Sequence, residues 1–150
     1  MVASLMYVSN SCMPRFVPTA TIQDIVAQSV MRNDALQLRG ALIFTERHFA
    51  QVLEGPAENI AAVMESIARD PRHADVTITS EKQVSDYRFP SWTLAYRGGA
   101  SYMNAQVRSL LRPRDASYGD EAARLYFLIR KLAVESQLSG PIGRPPPPRK

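Results

Sequence analysis

The sequence is poor in the residues that build metal clusters and disulfide frameworks. Its 150 residues contain one cysteine, Cys12, and two histidines, His48 and His73. A single thiol cannot form a disulfide within the chain, and one cysteine with two histidines make a poor set of metal ligands. We therefore expect a reducing, cytoplasmic setting and no metal site. In this interpretation Cys12 is a loop thiol and His48 lies at a hairpin tip.

Long apolar runs and an excess of charge are also missing. No uninterrupted apolar stretch approaches the ~20 residues that a membrane-spanning helix needs, and residues 1–5 lack the basic start and long apolar run of a signal peptide. The net charge is +4, but residues 139–150 contain Arg144, Arg149 and Lys150 and no acid, so removing these three leaves +1 for the body. We therefore expect no partnership with a membrane or with nucleic acid.

What the sequence does contain is the pattern of one globular domain, with 45% hydrophobic residues. Apolar periodicity predicts strands at about 5–8, 40–44, 49–54, 76–80 and 92–96, and helices at about 22–33 and 57–69. Thr21 and Asp24 resemble a capping arrangement for the first helix. Two split βαβ halves in this order predict an α+β fold, a ferredoxin-like βαββαββ sheet with both helices on one face.

The pattern changes after Gly98 and Gly99. A third helix is indicated near residues 103–111, a turn at 112–114 and a fourth helix at 122–137. Such helices need a partner surface, either the other face of the sheet or a second subunit. We therefore divide the chain into a domain at 1–97, a helical extension at 98–138 and a disordered, proline-rich basic tail at 139–150.

One polar residue stands where a strand should be apolar. In residues 49–54, period-two alternation puts Phe49, Gln51 and Leu53 on one face and Ala50, Val52 and Glu54 on the other. An unpaired amide in an apolar layer costs about 1–3 kcal/mol. Either a neighbouring side chain or a bound molecule must therefore satisfy Gln51.

Six segments carry a resemblance to a known family. In chain order they are 7–9, Asn33, 40–44, 49–56, 70–73 and 88–92. Together they resemble the BLUF domain, a blue-light sensor that uses FAD, over about residues 4–97. The resemblance implies an FAD held between the two helices, with its ring facing the Gln51 strand.

The resemblance also implies which side chains hold the cofactor. Asn33 would bind the polar edge of the flavin ring with Arg32 close by, and Val26 and Ile67 would pack on its two faces. Arg72 and His73 would lie near the ribityl chain or the phosphates.

The photochemistry implied by the resemblance needs no substrate. Tyr7 gives an electron and then a proton to the excited flavin, and Gln51 rearranges by rotation or tautomerisation. Trp92 belongs to the photoactive set, and in the family its position can point inward or outward. Leu94 stands where the family often has methionine, which leaves open how the last strand senses Gln51.

Two further departures from the family pattern lie at Asp34 and Arg39. Asp34 replaces a usual asparagine, and Arg39 replaces a usual threonine. Arg39 would either bring charge to the edge of the ring or face water.

No catalytic motif follows residue 97, so the chain resembles the short class of BLUF proteins, which act through partners or assembly. We expect a homo-oligomer with contacts through Leu125, Leu128 and Leu132, and an unidentified downstream protein partner. Two alternatives remain: a flavin-binding interaction module without photochemistry, and a small acylphosphatase-like enzyme using Arg32 and Asn33. Colourless protein favours the enzyme or an empty scaffold, and yellow protein without a light-induced shift favours the silent module.

Overall fold

A computed structural model describes residues 1–14, 16–111 and 118–138 of the chain. The turn expected at 112–114 and the tail expected at 139–150 lie outside the described residues. None of the helices in the described ranges is both long and apolar enough to cross a membrane.

Five strands and four helices make up the described chain. They are β1 (Val2–Ser11), α1 (Thr19–Ala35), β2 (Arg39–Phe44), β3 (His48–Gly55), α2 (Ala57–Arg69), β4 (His73–Val84), β5 (Trp92–Arg97), α3 (Ser101–Arg108) and α4 (Tyr118–Leu138). The strands form one sheet in the order β4-β1-β3-β2-β5. β1 pairs antiparallel with both β3 and β4, β2 pairs antiparallel with β3, and β5 joins β2 in parallel. The predicted α+β, ferredoxin-like architecture is confirmed.

The two faces of the sheet carry separate cores. On one face, Leu53 of β3 packs with Ile60 and Val63 of α2 and with Ile22 of α1. On the other, Val52 of β3 packs with side chains of α3 and α4. Alternation along β3 therefore sends neighbouring residues into different cores. We call the first the helix-pair face and the second the far face.

The last two helices, α3 and α4, cover the far face of the sheet, which is one of the two partner surfaces that the sequence allowed. Leu125 of α4 is fully buried against this face, and Leu128 and Leu132 are partly buried and pack on the same core. The expectation that these three leucines form contacts between subunits is wrong for Leu125, because the sheet of the same chain already covers it. The apolar stripe of α4 thus packs largely within one chain.

Three local expectations also need correction. β1 and β4 are longer than predicted, because polar residues at their ends still pair in the ladder. α1 begins after Pro18 with no side-chain cap, so Thr21 and Asp24 do not form the expected arrangement. His48 is 6% exposed and is the first residue of β3, not the exposed tip of the hairpin. The turn before it is closed by Thr45, whose backbone N–H donates to the His48 carbonyl at 3.0 Å.

Packing on the far face predicts the cost of truncating α4. Leu125→Ala should lower the free energy of unfolding by about 2–5 kcal/mol, because it opens a cavity among fully buried neighbours. Phe127→Ala on the same helix is the matched control: Phe127 is 66% exposed, so a change within about 0.5 kcal/mol is expected. Urea denaturation followed by circular dichroism measures both. Equal effects of the two substitutions would contradict the packing described here.

Candidate functional site

A cleft lies between α1, α2 and the helix-pair face of the sheet. It contains about 630 Å³ of empty space, counting the part open to solvent. All site residues expected from the sequence except Asn33 line it: Tyr7, Val26, Arg32, Gln51, Ile67, Arg72, His73, Trp92 and Leu94. Further apolar lining comes from Ile22, Ile25, Leu42, Phe44 and Phe49.

Strand pairing places Tyr7 and Gln51 side by side on the floor of this cleft. Gln51 lies in the central strand opposite Tyr7 of β1 on one side and Leu42 of β2 on the other. Leu42 in turn lies opposite Leu94 of β5. Directly paired residues project to the same face of a sheet, so these four side chains form one row across the floor of the cleft.

Gln51 is bonded on both sides. Its Nε2 donates to the Tyr7 hydroxyl at 2.7 Å, and its Oε1 accepts from the Trp92 indole Nε1 at 2.8 Å. Gln51 is 3% exposed and Trp92 6% exposed. The inward orientation of Trp92, left open by the sequence, is thus observed. Because a carboxamide nitrogen carries two hydrogens, Gln51 keeps one further donor for a bound molecule.

Tyr7 remains a neutral phenol in this setting. Its side chain is 1% exposed, and this burial raises the pKa of the Tyr7 hydroxyl far above its ordinary value. The hydrogen bond from Gln51 opposes the shift but does not cancel it. The phenol therefore keeps its proton throughout the physiological pH range.

Asn33 holds a buried amide next to Arg32, which lines the cleft, although Asn33 itself is not part of the lining. It is fully buried in the last turns of α1, and its Nδ2 has no hydrogen-bond partner within the described part of the chain. Its Oδ1 accepts from Arg32 Nε at 3.4 Å. A buried donor without an acceptor is costly, so this nitrogen is suited to a ligand oxygen.

Charged and aromatic groups occupy the end of the cleft near α2. Arg72 Nε donates to the Asp70 carboxylate at 3.0 Å, and this contact lowers the pKa of Asp70. The His73 ring lies 4.4 Å from the Phe49 ring, and its Nδ1 is 2.7 Å from the hydroxyl oxygen of Ser9. Burial lowers the pKa of His73, so its ring is neutral near pH 7.

The sequence did not single out Asp70 or Ser9 as part of the site. Asp70 lies in segment 70–73, which carries part of the family resemblance, but only Arg72 and His73 of that segment were expected to contact the cofactor. Ser9 shares the strand face of Tyr7, and period two along β1 was the signal that could have found it.

The other two departures from the family pattern lie away from the cleft. Arg39 is exposed and places its guanidinium 4.0 Å from the centre of the Tyr87 ring. Asp34 is also exposed. Neither belongs to the lining of the cleft. Among the described residues, no group of three or more histidines, cysteines, aspartates or glutamates is arranged to hold a metal ion.

Comparison with known proteins identifies the family to which this chain is similar. The family profile described as "BLUF: Sensors of blue-light using FAD" matches residues 2–95. Photoactivated adenylate cyclase subunit beta of Euglena longa is 29% identical over 92 residues, which are 61% of this chain and 10% of that protein. The blue light- and temperature-regulated antirepressor BluF of Escherichia coli K12 is 36% identical over 59 residues, 39% of this chain and 15% of that protein. The chain thus spans a small fraction of both relatives.

A solved structure extends the likeness beyond the matched domain. The dark-state structure of the BLUF protein BlrB superposes with a TM-score of 0.65 at 27% identity, covering 87% of this chain and 96% of the other. The family profile alone covers more than half of the 150 residues. This chain belongs to the BLUF family of blue-light-sensing flavin domains.

Proposed function

We propose that this chain is a blue-light photoreceptor that binds FAD in the cleft and signals through the hydrogen bonds of Gln51. The observation that carries the proposal is the position of this amide, held between the Tyr7 phenol and the Trp92 indole on the floor of the cleft. We further propose that it has no enzymatic activity of its own and acts by binding a partner or by changing its assembly.

The residues around the cleft fit a flavin. Asn33 offers an unpartnered buried amide N–H to a ring carbonyl, and Arg32 lies beside it. Val26 and Ile67 line the cleft from the two helices and would pack on the two faces of an aromatic ring. Arg72 and His73, at the end near α2, would lie close to the ribityl chain or the phosphates.

When bound, the flavin supplies absorption of blue light and an excited state that accepts an electron. Tyr7 would give an electron and its phenol proton to the bound flavin and would take both back when the cycle closes; in the dark, its raised pKa keeps the phenol protonated. The Gln51 amide then changes which of its donor and acceptor atoms face Tyr7 and Trp92, by one of two routes. Rotation of the amide turns Nε2 toward the Trp92 N–H, so that two donors face each other. Tautomerisation instead places a hydrogen on the oxygen that accepts from Trp92.

Both routes weaken the hydrogen bond between Gln51 and Trp92, and so they act on β5. The backbone of β5 also contacts α4, because the Leu94 carbonyl accepts from the buried Ser136 hydroxyl at 3.4 Å. A hydrogen-bond change of about 1–2 kcal/mol shifts a packed element only when its two arrangements differ by a similar energy. We propose that residues 1–97 sense light and that 98–138 carry the output to an unidentified protein partner.

A homo-oligomer and a cytoplasmic location stay predictions. The apolar stripe of α4 packs largely on its own sheet, so an interface would have to use other surfaces of the chain. Phe127 and Val134 are exposed on α4, at 66% and 48%.

The decisive experiment is an absorption spectrum of the purified protein before and after blue light. We expect yellow protein, FAD as the nucleotide released on denaturation, and a red shift that reverses in the dark. Yellow protein without any shift would identify a photochemically silent flavin module. Colourless protein that takes up no added flavin would overturn the proposal.

A further inference from the structure

Glu54 is a carboxylate buried on the far face of the sheet, three residues after Gln51 in β3. It is 0% exposed. Its Oε1 accepts the backbone N–H of Arg88 at 2.8 Å, while its Oε2 has no partner among the described residues. A buried carboxylate with so few partners is unfavourable for stability. A residue that is unfavourable for stability indicates a functional role, and here the candidate is the hydrogen bond from the Arg88 N–H to Glu54 Oε1.

That bond fixes the start of the segment that leads into Trp92. Residues 85–91 connect β4 to β5, and we call residues 88–92 the Trp92 segment. Its other end is also held, because the Ser91 carbonyl accepts from the Gly40 N–H at 3.0 Å. No side chain is tolerated at Gly40, where an added Cβ would come within 1.8 Å of the Val52 carbonyl oxygen.

The Trp92 segment passes between the two faces of the sheet. Phe89 is 2% exposed on the far face and meets the Tyr126 ring of α4 edge-on at 6.1 Å. Three residues later, Trp92 points into the cleft and donates to Gln51. A shift of β5 that withdraws the indole from the cleft would therefore move a segment that Glu54 holds and whose Phe89 packs on α4.

We propose that Glu54 is a positioning residue, which holds the Trp92 segment through the Arg88 N–H and so keeps the Trp92 indole on Gln51. The proposal rests on the proposed function, in which the bond between Gln51 and Trp92 belongs to the photoreaction. Glu54 is not part of the cleft lining and lies on the opposite face of β3 from Gln51, so it would act on the indole through the Arg88 backbone.

Two substitutions at this position separate hydrogen bonding from packing and charge. Glu54→Gln keeps an acceptor of similar shape, whereas Glu54→Leu fills the space without one. Because Trp92 is the single tryptophan of the chain, its environment can be measured directly in the full-length protein in the dark. Acrylamide quenching of its fluorescence reports exposure, and ultraviolet resonance Raman spectra report the hydrogen bond of the indole N–H.

In Glu54→Leu we expect at least a twofold rise in the quenching constant and an indole band that moves to its unbonded position. Glu54→Gln should match the wild type in both measurements. Arg88→Ala is the second control, since it keeps the backbone N–H and should also match. The proposal would be overturned if a folded Glu54→Leu variant showed wild-type quenching and a wild-type indole band. It would also be overturned if a folded Glu54→Gln variant showed the raised quenching and the unbonded indole band expected for Glu54→Leu.

A measurement on the unsubstituted protein covers the case in which Glu54→Leu does not fold. Amide hydrogen exchange should show the Arg88 N–H protected although its side chain is exposed, and unprotected exchange there would overturn the proposal. Both tests concern the protein in the dark. A protein that lacks a light response would refute the proposed function and still leave the role of Glu54 to be decided by these data.

Discussion

Replacing Tyr7 by phenylalanine should give a yellow protein that no longer shows a reversible red shift under blue light. Phenylalanine fills the same space in the floor of the cleft but has no phenol to give up an electron and a proton. The substitution also removes the acceptor that Gln51 Nε2 uses at 2.7 Å. Absorption spectra before and after illumination measure the effect.

Tyr126→Phe is the matched control for this experiment. Tyr126 is also a buried tyrosine, at 8% exposure, but it belongs to α4 and packs on the far face against Phe89. It should keep the full light-induced shift. A reversible shift in Tyr7→Phe with wild-type amplitude would refute the role given to the phenol.

The second large effect is expected for Gln51→Leu. Leucine removes the partner of two buried groups at once, the Tyr7 hydroxyl and the Trp92 Nε1. Each group left unpaired costs about 1–3 kcal/mol of folding free energy, partly offset by the apolar fit of leucine. We therefore expect loss of the light-induced shift together with a lower midpoint of urea denaturation.

Gln83→Leu is the control for the loss of an amide. Gln83 is exposed near the end of β4, so its removal should leave both the spectrum and the denaturation midpoint unchanged. If Gln51→Leu kept a reversible red shift, hydrogen-bond rearrangement at this position would not be the basis of the light response.

Period two along β3 predicted the buried amide from the sequence, whereas the other proposed site residues were indicated by the family resemblance. The alternation of Phe49, Gln51 and Leu53 correctly placed an amide in an apolar face, and the helical spacing after Pro56 correctly gave α2. The need for a partner for Gln51 followed from elementary hydrogen-bond energetics. These signals are local, which is why one sequence was sufficient to find them.

The orientation of Trp92 and the role of the last helices could not be predicted in this way. Trp92 reaches Gln51 because β5 lies next to β2, with Leu94 opposite Leu42, and this pairing joins residues about 50 positions apart. The sequence of α4 predicts an apolar face, but it does not indicate whether that face packs on the sheet of the same chain or on a second subunit. The burial of His48 depends likewise on contacts outside its own strand.

The position of β5 at the margin of the sheet has a mechanical consequence. β3, which carries Gln51, is tied to strands on both sides, whereas β5 is bonded only to β2. Its ladder also skips Ala95, since Leu42 faces Leu94 and Ile43 faces Tyr96. A displacement of β5 therefore breaks one ladder, already irregular, while a displacement of β3 breaks two regular ones. If the Gln51 amide rearranges as proposed, we therefore expect β5 to move more readily than β3.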